Sequence, residues 1–207
     1  MPYTPIAKNM MLDALCRAEA PVTPIGDASL HSGFPGNTRA NEISGGSPSY
    51  ARKSITFNKA SAGSSDSSNQ PVFDVDASTT IRFVGYFASG SPDEFLAYAP
   101  IGNVSFIDEF SVDVAGDNID AIAHPFSNDQ NIVFLDGTAP GGLTEGTVYF
   151  VVNSATDLFQ VSLTQGGGAI TLTDQGDDSV EVHRIVEETF GAQGTFTLTD
   201  ADLDLNA

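Results

Sequence analysis

From Ile25 onward the chain never sustains a helical apolar period. Gly, Ser, Asn, Thr and Pro interrupt it, leaving short runs rich in Val, Ile, Phe, Tyr and Thr at 53–58, 70–75, 80–88 and 94–99. Within 80–88, Ile81, Phe83, Gly85 and Phe87 share one face of an extended strand, and Arg82, Val84 and Tyr86 share the other. Both faces read as partly buried, as in a central strand of a sandwich. Short strands with turn signals every 8 to 12 residues or so predict an all-β chain, an antiparallel β-sandwich or jelly-roll-like domain.

One segment reads as a helix. Met10, Met11, Leu12, Ala14 and Leu15 fall within two turns after Asn9, and Pro21 ends the pattern. It is either a docking helix with a Met-rich face or a short helix closing one end of a β core, and the second reading is preferred. Cys16, inside it, reads as a small buried hydrophobe. The polar stretch 61–71 is flanked by strand signals and reads as a long hairpin loop.

A compositional break near Asn103 divides the chain. Between Asn103 and His183 there is no Lys or Arg. The stretch carries its own strand series: Asn131-Ile-Val-Phe-Leu before the turn dipeptide Asp136-Gly, then Thr147-Val-Tyr-Phe-Val-Val-Asn, Phe159-Gln-Val-Ser-Leu, Gly166-Gly-Gly-Ala-Ile-Thr-Leu-Thr and Ser179-Val-Glu-Val-His-Arg-Ile. Its ends, Ser111-Val-Asp-Val and Val180-Glu-Val-His, both alternate and are expected to pair. Closely spaced ends suit a domain inserted into a surface loop. The predicted organisation is an outer β domain over 1–102 plus 187–207, interrupted by a small acidic β domain over 103–186. At the C-terminus Phe196 and Leu198 share one strand phase and Leu203 and Leu205 the other, which predicts a bulge or turn at Asp200-Ala-Asp.

Charge narrows the partners. Eight Lys and Arg against 27 Asp and Glu give a net charge of −19 on 207 residues. No basic stripe exists to displace counterions from nucleic acid, or to hold an anionic membrane surface. No apolar run approaches the roughly 20 residues that span a bilayer. The N-terminus lacks the basic end and apolar stretch of a secretory signal. Cys16 is the one cysteine, which excludes an intramolecular disulfide framework and a cysteine-based zinc site.

Two blocks carry a resemblance. The stretch 29–57, with His31-Ser-Gly-Phe-Pro-Gly and Ser44-Gly-Gly-Ser-Pro-Ser-Tyr, and the ending Glu188-Thr-Phe-Gly-Ala-Gln-Gly-Thr-Phe-Thr-Leu-Thr-Asp-Ala-Asp-Leu-Asp-Leu resemble a family of tailed-bacteriophage virion proteins. That family is usually described as tail fibre or minor tail proteins. The insert resembles a second phage β module, through Ala123-His-Pro-Phe-Ser-Asn-Asp-Gln-Asn and Pro140-Gly-Gly-Leu-Thr-Glu-Gly-Thr-Val-Tyr-Phe. The resemblance implies a virion structural protein assembled in the host cytoplasm. Its implied partners are other phage structural proteins of the tail or capsid, and further copies of itself, a homotrimer first.

Chemistry finds little support in the residues. There is no Gly-x-Ser-x-Gly elbow, and His31 and His124 sit beside turn residues with no carboxylate spaced to orient them. The adjacent acids Asp108/Glu109, Asp177/Asp178 and Glu187/Glu188 would point to opposite faces of a strand, not across a cleft as a glycosidase needs. Asp200-Ala-Asp-Leu-Asp and Asp74-Val-Asp fit no EF-hand and leave open only an irregular calcium site. Gly166-Gly-Gly lacks the Lys and helix of a phosphate loop and reads as a wide turn.

The expectation is a non-enzymatic virion protein without cofactor, catalytic residues or metal, a tail fibre or minor tail component. A capsid decoration (cement) protein is the alternative, and a carbohydrate-binding or carbohydrate-cleaving host-recognition protein a further one. Seven of the eight Lys and Arg precede Asn103, where the net charge is −2, whereas 103–186 carries −12. Identical acidic subunits repel over roughly 8 Å at physiological salt. Attachment is therefore expected through the least acidic region, with Lys8, Arg17, Arg39, Arg52 and Lys53 as the surface.

Overall fold

The computed structural model describes residues 3–16, 23–90, 94–102 and 105–204. The chain divides into two compact units, Met1–Ala99 with Glu187–Ala207, and Pro100–Val186. Both are antiparallel β structures, and the one α-helix among the described residues is α1 (Pro5–Cys16). The all-β class read from the strand runs is the class that forms.

In the first unit, β1 (Ile25–His31), β2 (Lys53–Ser54), β6 (Phe83–Ala88) and β7 (Phe95–Pro100) make one sheet in the order β2-β1-β6-β7. β6 is central and buried along its whole length, which matches the apolar residues on both of its faces. The expected single strand 80–88 is in fact two. β5 (Thr79–Ile81) ends at Arg82 and β6 begins after it, because Ile81 pairs with Glu188 whereas Phe83 pairs with His31. Arg82 forms the corner between them. Its guanidinium holds Ser32 O (2.7 Å) and the Glu187 carboxylate.

The helix starts five residues earlier than a start after Asn9 suggests. Thr4 is the cap: its hydroxyl accepts the Ala7 amide (3.3 Å) and donates to Phe95 O (2.9 Å), and Pro5 takes the first helical position. Ala7 packs on Ala88 and Leu96, with Tyr3, Met11 and Ile25 around it. The Tyr3–Ala97 bridge and the Thr4 amide on Leu96 O also cover the edge of β7. The side chain of Cys16, with Arg17, Pro21 and Leu205, lies outside the described residues.

The C-terminal segment returns to the strands that precede β6. β15 (Glu188–Phe190), β16 (Gly194–Thr197) and β17 (Asp202–Asp204) pair in reverse order with β5, β4 (Val72–Val75) and β3 (Ser64–Asp66). β3 lies inside 61–71, so that stretch is a paired strand as well as a loop. Ser and Asp give it no apolar signature, and its order comes from main-chain bonds to β17. The register shifts between β16 and β17. Thr197 pairs with Val72 and Asp202 with Asp66, five residues of one strand against six of the other. An odd step reverses strand phase. That is the phase change read between Phe196/Leu198 and Leu203.

The second unit is a seven-stranded sheet. Its order is β8 (Phe106–Ile107), β14 (Glu181–Ile185), β11 (Asn131–Leu135), β12 (Val148–Val152), β13 (Leu158–Ser162), β10 (Asn118–Asp120) and β9 (Ser111–Asp113). Ile119, Ile132, Phe134, Tyr149, Val151, Phe159, Val161 and Val182 alternate along these strands into one core. Two expectations fail here. The 111–114 segment does not pair with 180–183, because it folds back through a tight turn onto β10 at the far edge of the sheet, and β8 takes the place beside β14. Nor is 166–173 a strand. It crosses the core as irregular chain, burying Leu172, and no ladder holds it. The ends of the unit nonetheless meet, the Val186 amide donating to Ile101 O at 3.0 Å.

Candidate functional site

Three features bear on function: a strap over the first unit, the cations expected to mark an attachment surface, and the acids of the second unit. The strap runs from Ser32 to Arg52 between β1 and β2. Its Pro-Gly turn leads into a 3-10 turn (Gly36–Thr38), after which Arg39 adopts a left-handed conformation (φ 58°). Asn41 O accepts the Ser32 amide and Leu30 O accepts the Ile43 amide, which lays 40–43 along the end of β1.

Beneath the strap is a connected polar cluster. Glu42 receives Arg52 through two contacts, Nε to Oε1 (2.7 Å) and Nη2 to Oε2 (2.6 Å), and the guanidinium carbon lies 3.5 Å from the centroid of the Phe87 ring. Tyr50 donates its hydroxyl to Glu42 Oε1 and accepts the Leu30 amide (2.9 Å). Burial pushes the Tyr50 phenol well above its ordinary range. His31 and Ser29 are completely buried beside it. Ala40 O can only accept, so His31 Nδ1 carries the proton (2.7 Å), and Nε2 accepts from Ser29 Oγ (2.8 Å).

This Ser–His pair escaped the sequence reading, which looked for a carboxylate beside His31 and not for a serine two residues back on the same strand face. It is a core contact. Gly85 on β6 closes over it so tightly that a Cβ there would sit 2.6 Å from His31 Nε2 and 2.7 Å from Ser29 Oγ. No substrate atom has room to approach either group.

The five expected attachment residues are not equivalent. Lys8 is exposed on α1, and Arg39 is half-buried at the strap turn. Arg52 is held by Glu42 and Phe87, and Lys53 lies 3.7 Å from Asp74. Arg17 lies outside the described residues.

In the second unit much of the acid serves the backbone. Asp174 Oδ1 accepts the amides of Gly141 (2.9 Å) and Gly176 (3.0 Å), Asp117 Oδ1 accepts that of Leu172 (2.9 Å), and Asp157 Oδ1 accepts that of Ala123 (3.0 Å). Asp177 Oδ2 accepts the Thr138 amide (3.0 Å), and hydrogen bonds from Thr138 hold this carboxyl below the usual carboxylate range. Carboxylates thus fix the crossing segment that lacks a ladder. His124 is structural too, donating Nε2–H to Leu158 O and accepting the Phe126 amide at Nδ1. His183 is buried between Glu181 (2.6 Å) and the Phe106 ring.

Asp108, Glu109, Asp177 and Asp178 come together around a shallow open depression with Phe110 and Gln175, a grouping that the strand-face argument did not anticipate. Among the described residues no three His, Cys, Asp or Glu side chains gather as metal ligands. No described helix is long and apolar enough to cross a membrane.

With this geometry in view, the family model of the podophage GP4 fiber I protein gp80 matches residues 2–114, more than half the chain. The chain belongs to that fibre family. The match covers α1, the strap and the sheet of the first unit, and runs on through β9. Membership makes the chain a phage virion structural protein associated with other virion components. No curated protein matches it.

Proposed function

We propose that this protein is a non-enzymatic component of a phage tail fibre, attached through the first unit and displaying the acidic second unit to solvent. The observation that carries this reading is the fibre-family match over 2–114, which falls mainly on the unit with most of the cations. The charge partition supports the orientation: an insert of net −12 repels its own copies, whereas the region before it is nearly balanced. A homotrimer is the preferred assembly, since repeated weak contacts then act together.

Within the proposed attachment surface, Lys8 is exposed on α1 and Arg39 stands at the strap turn, and these two are tested first. Lys8→Gln with Arg39→Gln should lower incorporation into particles about tenfold or more while leaving the melting temperature within a few degrees. Labelled insert seen by electron microscopy should lie on the tail. Label on the head would favour the decoration role, and normal incorporation of the double variant would place attachment elsewhere.

A further inference from the structure

The outer edges of the two larger sheets carry the same device. Just past β2, the Ile55 amide donates to Gly26 O, so Ser54 O and the Thr56 amide point away from β1. The Asn69 side chain takes both, donating Nδ2–H to Ser54 O (2.9 Å) and accepting the Thr56 amide at Oδ1 (2.8 Å). β9 is the last strand of the seven-stranded sheet and pairs on one side only, with β10. On its other side Gln175 accepts the Val112 amide at Oε1 (2.7 Å) and donates Nε2–H to Phe110 O (3.2 Å). In each case one carboxamide holds a carbonyl and the amide two residues further on. A residue of a parallel neighbouring strand makes that same pair of bonds.

The chain on both sides of Gln175 is pinned. Asp174 Oδ1 accepts the Gly141 and Gly176 amides, and the Asp177 amide donates to Thr138 O (2.9 Å). Gly176 is left-handed (φ 72°) and lies so near Thr138 that a Cβ there would sit 2.4 Å from Thr138 O. The backbone that aims the Gln175 side chain at β9 is therefore fixed, which reduces the entropy lost in holding it there. Water could satisfy an open strand edge equally well. What the carboxamide does is occupy the two groups that a foreign strand would need. Asp108, Glu109, Asp177 and Asp178 stand around the same place and add a repulsion between copies that salt can screen.

We propose that Gln175 is a guard on the outer edge of β9, keeping the acidic units of neighbouring copies from joining edge to edge. The partner it excludes is a second copy of this chain. The β9 of that copy would add antiparallel about a two-fold axis, with Val112 beside Val112, since the N–H of Val112 is the outward one on both. The guard follows from the geometry of the edge and does not depend on where in the virion the protein sits.

Sedimentation of the full chain and of Gln175→Ala, at about 0.1 M and about 0.5 M salt, tests this. The mass of Gln175→Ala should rise about twofold over that of the parent, more readily at the higher salt, while the parent keeps one mass at both. Adding Val112→Pro to Gln175→Ala should restore the parent mass, because proline removes the outward amide and leaves the ladder to β10 in place. An unchanged mass in Gln175→Ala overturns the guard and leaves Gln175 a brace for the crossing segment. A parent mass that rises on screening alone, or association that survives Val112→Pro, overturns it as well. If either variant does not fold, amide hydrogen exchange in the parent chain decides instead. The Val112 amide must then be protected at least about tenfold over its intrinsic rate, and weaker protection rejects the proposal.

Discussion

Gly85 shows how one residue can fix a whole polar cluster. Its backbone lies in the centre of β6, where glycine is ordinarily a weakness. Here the missing side chain is the space that the Ser29–His31 pair and the Phe95 ring occupy. Gly85→Ala should destabilise the first unit by about 1–3 kcal/mol, because the methyl would have to displace three buried groups at once. Denaturant unfolding followed by fluorescence measures this, and a change under about half a kcal/mol would mean that the cluster yields easily. Sequence alone placed Gly85 on one strand face with Ile81, Phe83 and Phe87. It could not say why a glycine stands there, since the cause is a serine and a histidine on the neighbouring strand.

At the scale of elements, order in this chain comes from two kinds of bonding, and only one leaves a sequence pattern. β11, with Asp136 in a left-handed conformation at its end, is legible as an apolar run before a turn dipeptide. So is the C-terminal phase change, which the structure turns into the unequal step between β16 and β17. By contrast β3 is Ser-Ser-Asp, and the crossing segment around Leu172 is held by Asp117, Asp174 and Thr138. Neither the main-chain pairing of a polar strand nor hydrogen bonds from the main chain to remote side chains leave an apolar period, so neither element could be read. The same contrast extends to the strap cluster, where Arg52, expected at an attachment surface, lies against Glu42 and Phe87. The step in register makes a quantitative claim. Leu198 is buried where the C-terminal strand passes Pro71, whereas Leu203, beyond the step, is only half-buried. Leu198→Ala should cost about 2–4 kcal/mol and Leu203→Ala about 1 kcal/mol or less. Comparable losses at both positions in thermal unfolding would contradict the register.

For the whole molecule, the question is whether the second unit is a guest in the first. The unit has its own core, from Ile119 to Val182, drawn wholly from its own residues. Its chain enters and leaves at one place, where the Val186 amide meets Ile101 O. A loop joining points that close costs little entropy to shut, and the cost grows only slowly with length. The first unit meanwhile gets its C-terminal strands from beyond the insert: β15, β16 and β17 must return to β5, β4 and β3 whatever lies between. Replacing 101–186 by a short Gly/Ser loop should therefore leave a cooperatively folded first unit, with a single unfolding transition within about 2 kcal/mol of the corresponding transition in the full chain. The excised acidic unit, expressed alone, should also fold, since its ladder and its Asp-anchored crossing segment lie within it. Calorimetry of the two pieces and of the full chain makes the comparison. A loop-replaced chain that melts without cooperativity would show that the first unit needs the insert to bring its C-terminal strands home, and the domain reading would fall.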